Sequence, residues 1–345
     1  MTRTRFVLAL AGIAMASLAF RAQTPDSAAA YKFQAIAPGI YSAIGTGTLN
    51  VGSNSAVIVN RDDVVIVDSH ISPESARVML RELKSISDKP VRFLVNTHFH
   101  YDHTNGNQIF GPAVDVIGHE FTRAKMSGAN YTHGGLLGDL LTGLPKQLDD
   151  LKARAAAEQD ATTKGRIEQQ LRVQTAFSEH LKELKPTPPN VTIDDRMTIV
   201  RGDREMRLLY LGHGHTGGDL VVYLPKERVV CSGDLLVNGI ANLADGYVDE
   251  WPATLEKLKA LDFDDVIPGH GEPFKGKERI GYFQEYLKDL WAQASKLHDE
   301  HVAAADAAKR IDLTAHKTHY ATINGPGVNP LAVARIYAVI EHRAE

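Results

Sequence analysis

Four side chains able to hold a metal ion fall within six positions of this chain: His98, His100, Asp102 and His103. They follow an apolar run, residues 91–95, that predicts a short buried strand. A loop leaving the end of such a strand can aim several donors at one point. Imidazole together with carboxylate suits zinc, iron or manganese, and zinc is the commonest occupant of nitrogen-rich sites. Three later stretches repeat the pattern of strand, glycine turn and exposed donor: Gly212-His213-Gly214-His215-Thr216, Cys231-Ser232-Gly233-Asp234 and Pro268-Gly269-His270. Glycine lets the backbone turn tightly after a strand and leaves the donor at the sheet edge.

The elements that must position these donors show in the hydrophobic pattern. Residues 24–38 read as a polar leader. Alternating runs at 40–44, 55–59 and 64–67 predict antiparallel strands joined by tight turns. Ser72-Pro73-Glu74 opens a helix whose inner face carries Ala76, Met79, Leu83 and Ile86. A strand at 114–117 and a helix at 119–126 follow. Residues 135–185 are rich in Leu, Ala, Lys, Glu and Gln, with apolar positions at helical spacing, and end at Pro186-Thr187-Pro188-Pro189. They predict a helical insertion, either a lid over the site or an ordinary outer-layer pair. Strands resume at 198–200, 207–211, 220–224, 228–231 and 266–268. A helix starts near Asp249 or Glu250, and a long one carries Ile280, Phe283, Leu287, Leu290, Ala294 and Leu297. Each half thus reads as strands followed by helices, which fits two sheets faced by helices.

With 345 residues and 43% hydrophobic content, the chain can bury a sizeable core. Arg3 and Arg5 precede an almost wholly apolar run at 6–20, and a mostly polar stretch follows. This predicts a cleaved export signal at 1–23, a periplasmic or secreted product and no stable membrane anchor. Its removal takes Arg3, Arg5 and Arg21 and no acid, moving the formal charge from −4 to −7. An acidic chain without a basic run argues against a nucleic-acid partner and for a small-molecule substrate. Cys231 is the single cysteine, so no internal disulfide forms.

The ordered set His-x-His-x-Asp-His, Gly-His-Thr, Ser-Gly-Asp and Pro-Gly-His resembles the metallo-β-lactamase superfamily over about residues 40–300. The resemblance implies an α+β fold, a four-layer αββα sandwich, with a two-metal site at the sheet edges. It places His98, His100 and His215 on a first metal and Asp102, His103 and His270 on a second, with Asp234 between them. Two zinc ions are the implied cofactors, with iron or manganese as alternatives. Asp68 matches an acid that supports the ligand loop; Asp219 is either a similar support or a turn residue. His213 is expected in the pocket wall, as are Tyr247 and Trp251 unless these two are core.

A water held between two divalent cations loses a proton near neutral pH, so no serine or cysteine nucleophile is needed, and Asp102 can orient the resulting hydroxide. The expected activity is cleavage of an ester, lactone, thioester or cyclic amide. Lactamases with a cysteine ligand carry it where this chain has Asp234, which weakens the case for β-lactams. An iron-dependent oxidoreductase resembling the sulfur dioxygenases is the alternative on the same fold. The expected organisation is the signal, a hydrolase domain over 24–312 and a helical extension over 313–345.

Overall fold

Apolar runs of the N-terminal half condense into one seven-stranded sheet, in the order β1 (Tyr31–Ala37), β2 (Ile40–Gly45), β3 (Ser55–Val59), β4 (Val64–Val67), β5 (Val91–Val95), β6 (Asp115–His119) and β7 (Val191–Ile193). This computed structural model describes residues 29–342, so the expected export signal lies outside the described residues. Strands β1 to β4 are antiparallel, whereas β4 to β7 run parallel. Parallel neighbours need crossovers. These are supplied by α1 (Pro73–Leu83), by the short α2 (Tyr101–Thr104), and by α3 (Glu120–Ser127), α4 (Gly135–Ala157) and α5 (Ala161–His180).

The second sheet has six strands: β8 (Arg196–Arg201), β9 (Arg204–Tyr210), β10 (Leu220–Leu224), β11 (Val229–Gly233), β12 (Asp265–Pro268) and β13 (Phe274–Lys275). Helix α6 (Trp251–Lys259) makes the parallel crossover from β11 to β12. Beyond β13 come α7 (Glu278–Asp299), α8 (Ala304–Arg310) and α9 (Pro330–Ile340).

Side-chain alternation along the strands builds the layers. In β4, Val65 and Val67 face the second sheet, where they meet Leu208, Val222 and Ile267. Their neighbours Val64 and Ile66 face outward onto Ala76, Met79 and Leu83 of α1. On the other sheet, Val221, Val230 and Val266 face outward onto Trp251, Leu255, Phe283 and Leu287. The period of two forces this split, and burial on both faces explains why β4 reads as an uninterrupted Val-Val-Ile-Val. The result is the expected α+β four-layer sandwich.

Three strands depart from the sequence expectations. The supposed polar leader contains β1, whose Tyr31 is buried and donates its hydroxyl to Ser75 O at 2.9 Å. Lys32 is exposed and Gln34 half-buried on this edge strand, and their polarity hides it. Strands β7 and β13 span three and two residues, too few for periodicity to register. The insertion is a helical hairpin, with Leu151 and Ala155 of α4 against Ile167 and Leu171 of α5. Its base, through Leu144 and Phe177, packs on Ile71 beside the ligand loop. Residues of α8 and α9, among them Ala307, Val333 and Ile336, join the cluster outside the second sheet.

Candidate metal centre

All seven sequence-predicted donors meet where β4, β5, β11 and β12 end. His98 and His100 leave β5, and Asp102 and His103 ride on α2. His215 sits in the loop between β9 and β10, Asp234 follows β11, and His270 follows β12. Two glycines let the sheet edges close on each other. A Cβ on Gly269 would stand 2.0 Å from Asp234 Oδ1, and one on Gly233, at φ +51°, would stand 2.6 Å from the Thr97 side chain.

Donor atoms gather in three sets, His98/His100/His215, Asp102/His103/His270 and His98/His103/Asp234, each within 4.8 Å. Asp234 touches both ends: Oδ2 is 3.5 Å from His215 Nε2 and 3.2 Å from His270 Nε2, and Oδ1 is 3.4 Å from His103 Nε2. Asp102 Oδ2 is 3.2 Å from His270 Nε2 and 3.6 Å from His103 Nε2. Tetrahedral ligands with bonds of about 2.0–2.2 Å stand roughly 3.3–3.6 Å apart, so this spacing suits divalent cations.

Buried atoms without partners make the same point. His98 Nε2, His103 Nε2 and Asp234 Oδ1 are sealed from solvent and accept or donate no hydrogen bond. Leaving such groups bare costs about 1–3 kcal/mol each, and a cation between them removes that penalty. The residues therefore fit a metal pair.

Outer partners fix which nitrogen each ring presents. Asp68 Oδ2 accepts from His103 Nδ1 at 2.8 Å and from Thr97 Oγ at 2.8 Å, while Asp68 Oδ1 accepts from Thr97 N at 2.8 Å. Thr97 Oγ in turn lies 3.0 Å from His98 Nδ1, so one carboxylate orients two rings. Asp219 accepts from Thr216 N at 2.8 Å and Thr216 Oγ at 2.6 Å, bracing the His215 loop. Burial pushes the Asp219 carboxyl up to about 7 against those two bonds.

Asp245 joins the cluster from outside the four motifs. Its Oδ2 lies 2.9 Å from His100 Nε2, which leaves His100 Nδ1 toward the cluster, 2.9 Å from His215 Nε2. No motif links positions 100 and 245, and only the loop following Asp234 brings them together. An Asp245→Ala variant is expected to lose roughly 10–100-fold in metal affinity, the range for removing a ligand's outer partner. Chelator competition checks this; unchanged affinity would mean that Asp245 does not orient His100.

The remaining histidines stand apart from the cluster. His213 pairs with Glu250 at 3.1 Å and stacks on Tyr247 at 4.2 Å, behind the wall in which it was expected. Trp251 is core, its Nε1 donating to Leu235 O at 3.0 Å, whereas Tyr247 does line a cavity. His70 is buried between Ser55 Oγ and Ser53 O, and burial lowers it to about 3. His119 lies against Tyr210. His133 lines a cavity from the surface.

Charge divides the donors. Burial, then His103, His100 and His215, holds His98 well below the usual imidazole range, and burial takes His215 down to about 3. For His103 and His270 burial opposes protonation but is outweighed. Asp234, Asp102 and Asp68 raise His103 well above its ordinary value, and Asp234 and Asp102 raise His270 to about 10. Burial likewise works against ionisation of Asp234, which His270 and His103 nonetheless hold well below the carboxylate range.

Two cavities adjoin the cluster. One of about 260 Å³ is lined by Asp102, Asp234 and His270 with Leu136, Val237 and Ile240. The other, of about 640 Å³, opens on His100 and Asp245 beneath Phe99, Phe121, Tyr131 and Tyr247.

A paired-donor cluster at the edges of an αββα sandwich defines a class of metal-binding proteins. The family model described as Metallo-beta-lactamase superfamily matches residues 49–270, so this chain belongs to that superfamily. A linear primary-alkylsulfatase from Pseudomonas sp. (strain ATCC 19151) is 26% identical over 251 residues, 70% of this chain and 45% of that protein. A type 2 metallo-β-lactamase from Bacteroides fragilis is 32% identical over 114 residues, 31% of this chain and 45% of its own. The chain thus spans about half the length of the curated relatives it matches. Among solved structures, a stereoselective inverting sec-alkylsulfatase from Pseudomonas sp. superposes with a TM-score of 0.65 at 16% identity, covering 90% of this chain and 50% of that one. A metallo-β-lactamase from Pontibacter korlensis gives 0.51 at 18%, covering 75% and 99%. At such identities the likeness concerns the fold.

Proposed function

We propose that this protein is an exported hydrolase that holds two zinc ions and cleaves an ester-type or cyclic-amide bond in a small molecule. The substrate classes are an ester, lactone, thioester or cyclic amide and, following the alkylsulfatase relatives, an alkyl sulfate ester. The observation that carries this reading is the sharing of Asp234 between His215 on one side and His103 and His270 on the other.

His98, His100 and His215 would hold one zinc and Asp102, His103 and His270 the other, with Asp234 common to both. Zinc in such a pair supplies a nucleophile from water near neutral pH and polarises the bond under attack. The chain's own residues do the rest. Asp102, which lines the smaller cavity, would orient the attacking water. Leu136, Val237 and Ile240 form an apolar wall that keeps bulk water from the reacting atoms. The aromatic cavity alongside takes the substrate's body.

Export rests on Arg3, Arg5 and the apolar run behind them; a secreted or periplasmic product beginning after residues 19–23 supports it, and an intact Met1 on that product rejects it. No helix among the described residues is long and apolar enough to cross a membrane. Within the exported chain we assign 24–312 to the hydrolase domain and 313–345 to its helical extension.

The deciding experiment pairs a metal count with a panel of alkyl sulfates, esters, lactones, thioesters and β-lactams. Two zincs per chain, with turnover of at least one class that His98→Ala abolishes, is the expected result. No turnover of any class with two zincs bound sinks the reading. One iron per chain with oxygen consumption replaces it by the dioxygenase alternative.

A further inference from the structure

The superfamily match ends at residue 270, yet the larger cavity is completed by Arg335 from α9. Helix α9 is anchored by Ala332, Val333 and Ile336, buried in the cluster outside the second sheet, and this leaves Arg335 half-buried at the cavity. Arg335 Nε donates to Gly246 O at 3.0 Å, and its guanidinium lies 4.7 Å over the Tyr247 ring. A carbonyl and an aromatic face fix the plane of the guanidinium without neutralising its charge. Lys125, 5.0 Å over the Phe121 ring, is a second cation in the same lining. The acid facing the cavity, Asp245, has its carboxylate hydrogen-bonded to His100. The space is therefore apolar and aromatic in its walls, with Arg335 held in place as a cation and Asp245, turned to His100, as its acid.

Arg335 does not line the smaller cavity beside the second donor set. Asp102, Asp234 and His270 line the smaller cavity, and only His100, Tyr101 and Leu136 line both. A group held at Arg335 is thus not the group under attack at Asp102 and His270.

We propose that Arg335 is a specificity residue that binds a non-reacting anionic group, a carboxylate or sulfonate, on the apolar body of the substrate. The preferred substrate class is then an amphipathic molecule with two polar ends, one cleaved at the metal centre and one held at Arg335. This rests on the hydrolytic reading of the metal centre, and it makes the C-terminal segment part of the site.

Calorimetry of the zinc-loaded full chain, with 4-phenylbutanesulfonate and neutral 4-phenylbutanol as probes, tests it without requiring turnover. The sulfonate is expected to bind roughly tenfold or more tightly than the alcohol, as charge-assisted hydrogen bonds imply. Arg335→Gln should remove that preference and leave alcohol binding unchanged, and Arg335→Lys should restore part of it. A preference that persists in Arg335→Gln places the anion on the metals or elsewhere and overturns the proposal, as does the absence of any preference in the wild type. A loss of alcohol binding equal to the loss of sulfonate binding shows a structural role and overturns it too. For any ester hydrolysed, Arg335→Gln should raise KM only when the ester carries a distal acid, with kcat unchanged. If no ester is hydrolysed while the binding preference holds, the hydrolytic reading fails and the anion site stands.

Discussion

In an Asp234→Asn variant, zinc content falls to one ion per chain or less, and hydrolysis drops by more than roughly a hundredfold, the loss that removing a mere outer partner of a ligand already produces. Asp234 is the donor that reaches His215, His103 and His270 together, with Oδ1 buried and making no hydrogen bond. The amide keeps the shape and loses the charge, so neither cation retains its shared anion. No neighbour can replace it, because Gly269 and Gly233 pack directly against the site. Metal analysis and activity of the variant check this; two tightly held zincs would remove Asp234 from the centre.

Protonation separates the two donor sets in the wild type. His103 and His270 are raised by their carboxylate neighbours and carry protons at neutral pH without metal, whereas His98 and His215 are lowered and do not. A cation entering between Asp102, His103 and His270 must displace those protons, so its affinity rises with pH by up to about tenfold per unit for each proton released. His98 and His215 have no proton to give up over that range. Acidification from about pH 8 to about pH 6 should therefore release the Asp102/His103/His270 zinc first. Simultaneous release of both ions would contradict the division.

The donor set was legible because each motif is local. A strand, a glycine and a donor occupy adjacent positions, and the fold only has to bring four strand ends to one edge. The layers were legible for the same reason, since the apolar run of β4 and the stripe along α7 are short-range patterns. What escaped depends on distance. Asp245 orients His100 across 145 positions, and Arg335 reaches the cavity from a helix packed outside the second sheet. Neither carries a local mark of its task. Strand β1 escaped because an edge strand tolerates Lys32 and Gln34, which a central strand would exclude. The insertion was legible as helix from composition, but its contribution of Leu136 and Leu137 to the cavity wall follows from how its base packs on Ile71.

Asp68→Ala and Asp68→Asn should fail differently, and the difference reads out what Asp68 does. Its carboxylate is buried and accepts three hydrogen bonds, from Thr97 N, Thr97 Oγ and His103 Nδ1. Alanine strands all three donors in the interior, and losing one partner of a buried charged pair costs about 3–5 kcal/mol. Urea unfolding of Asp68→Ala without metal should show a loss of that size. Asparagine keeps the volume, and its carbonyl can still accept from Thr97 N. Its amide, however, would stand where Oδ2 meets Thr97 Oγ and His103 Nδ1, and it would donate where Oδ2 accepted. His103 then accommodates it as the opposite tautomer, with the proton on Nε2, the atom that faces Asp234 and Asp102. That proton blocks the donor a cation needs. Asp68→Asn is therefore expected to lose less stability than Asp68→Ala, yet bind zinc at least roughly 10–100-fold more weakly than wild type. Chelator competition and unfolding on the same preparations check both halves. Wild-type zinc affinity in Asp68→Asn would show that the carboxylate holds the loop only as a brace and leaves the His103 tautomer to the metal.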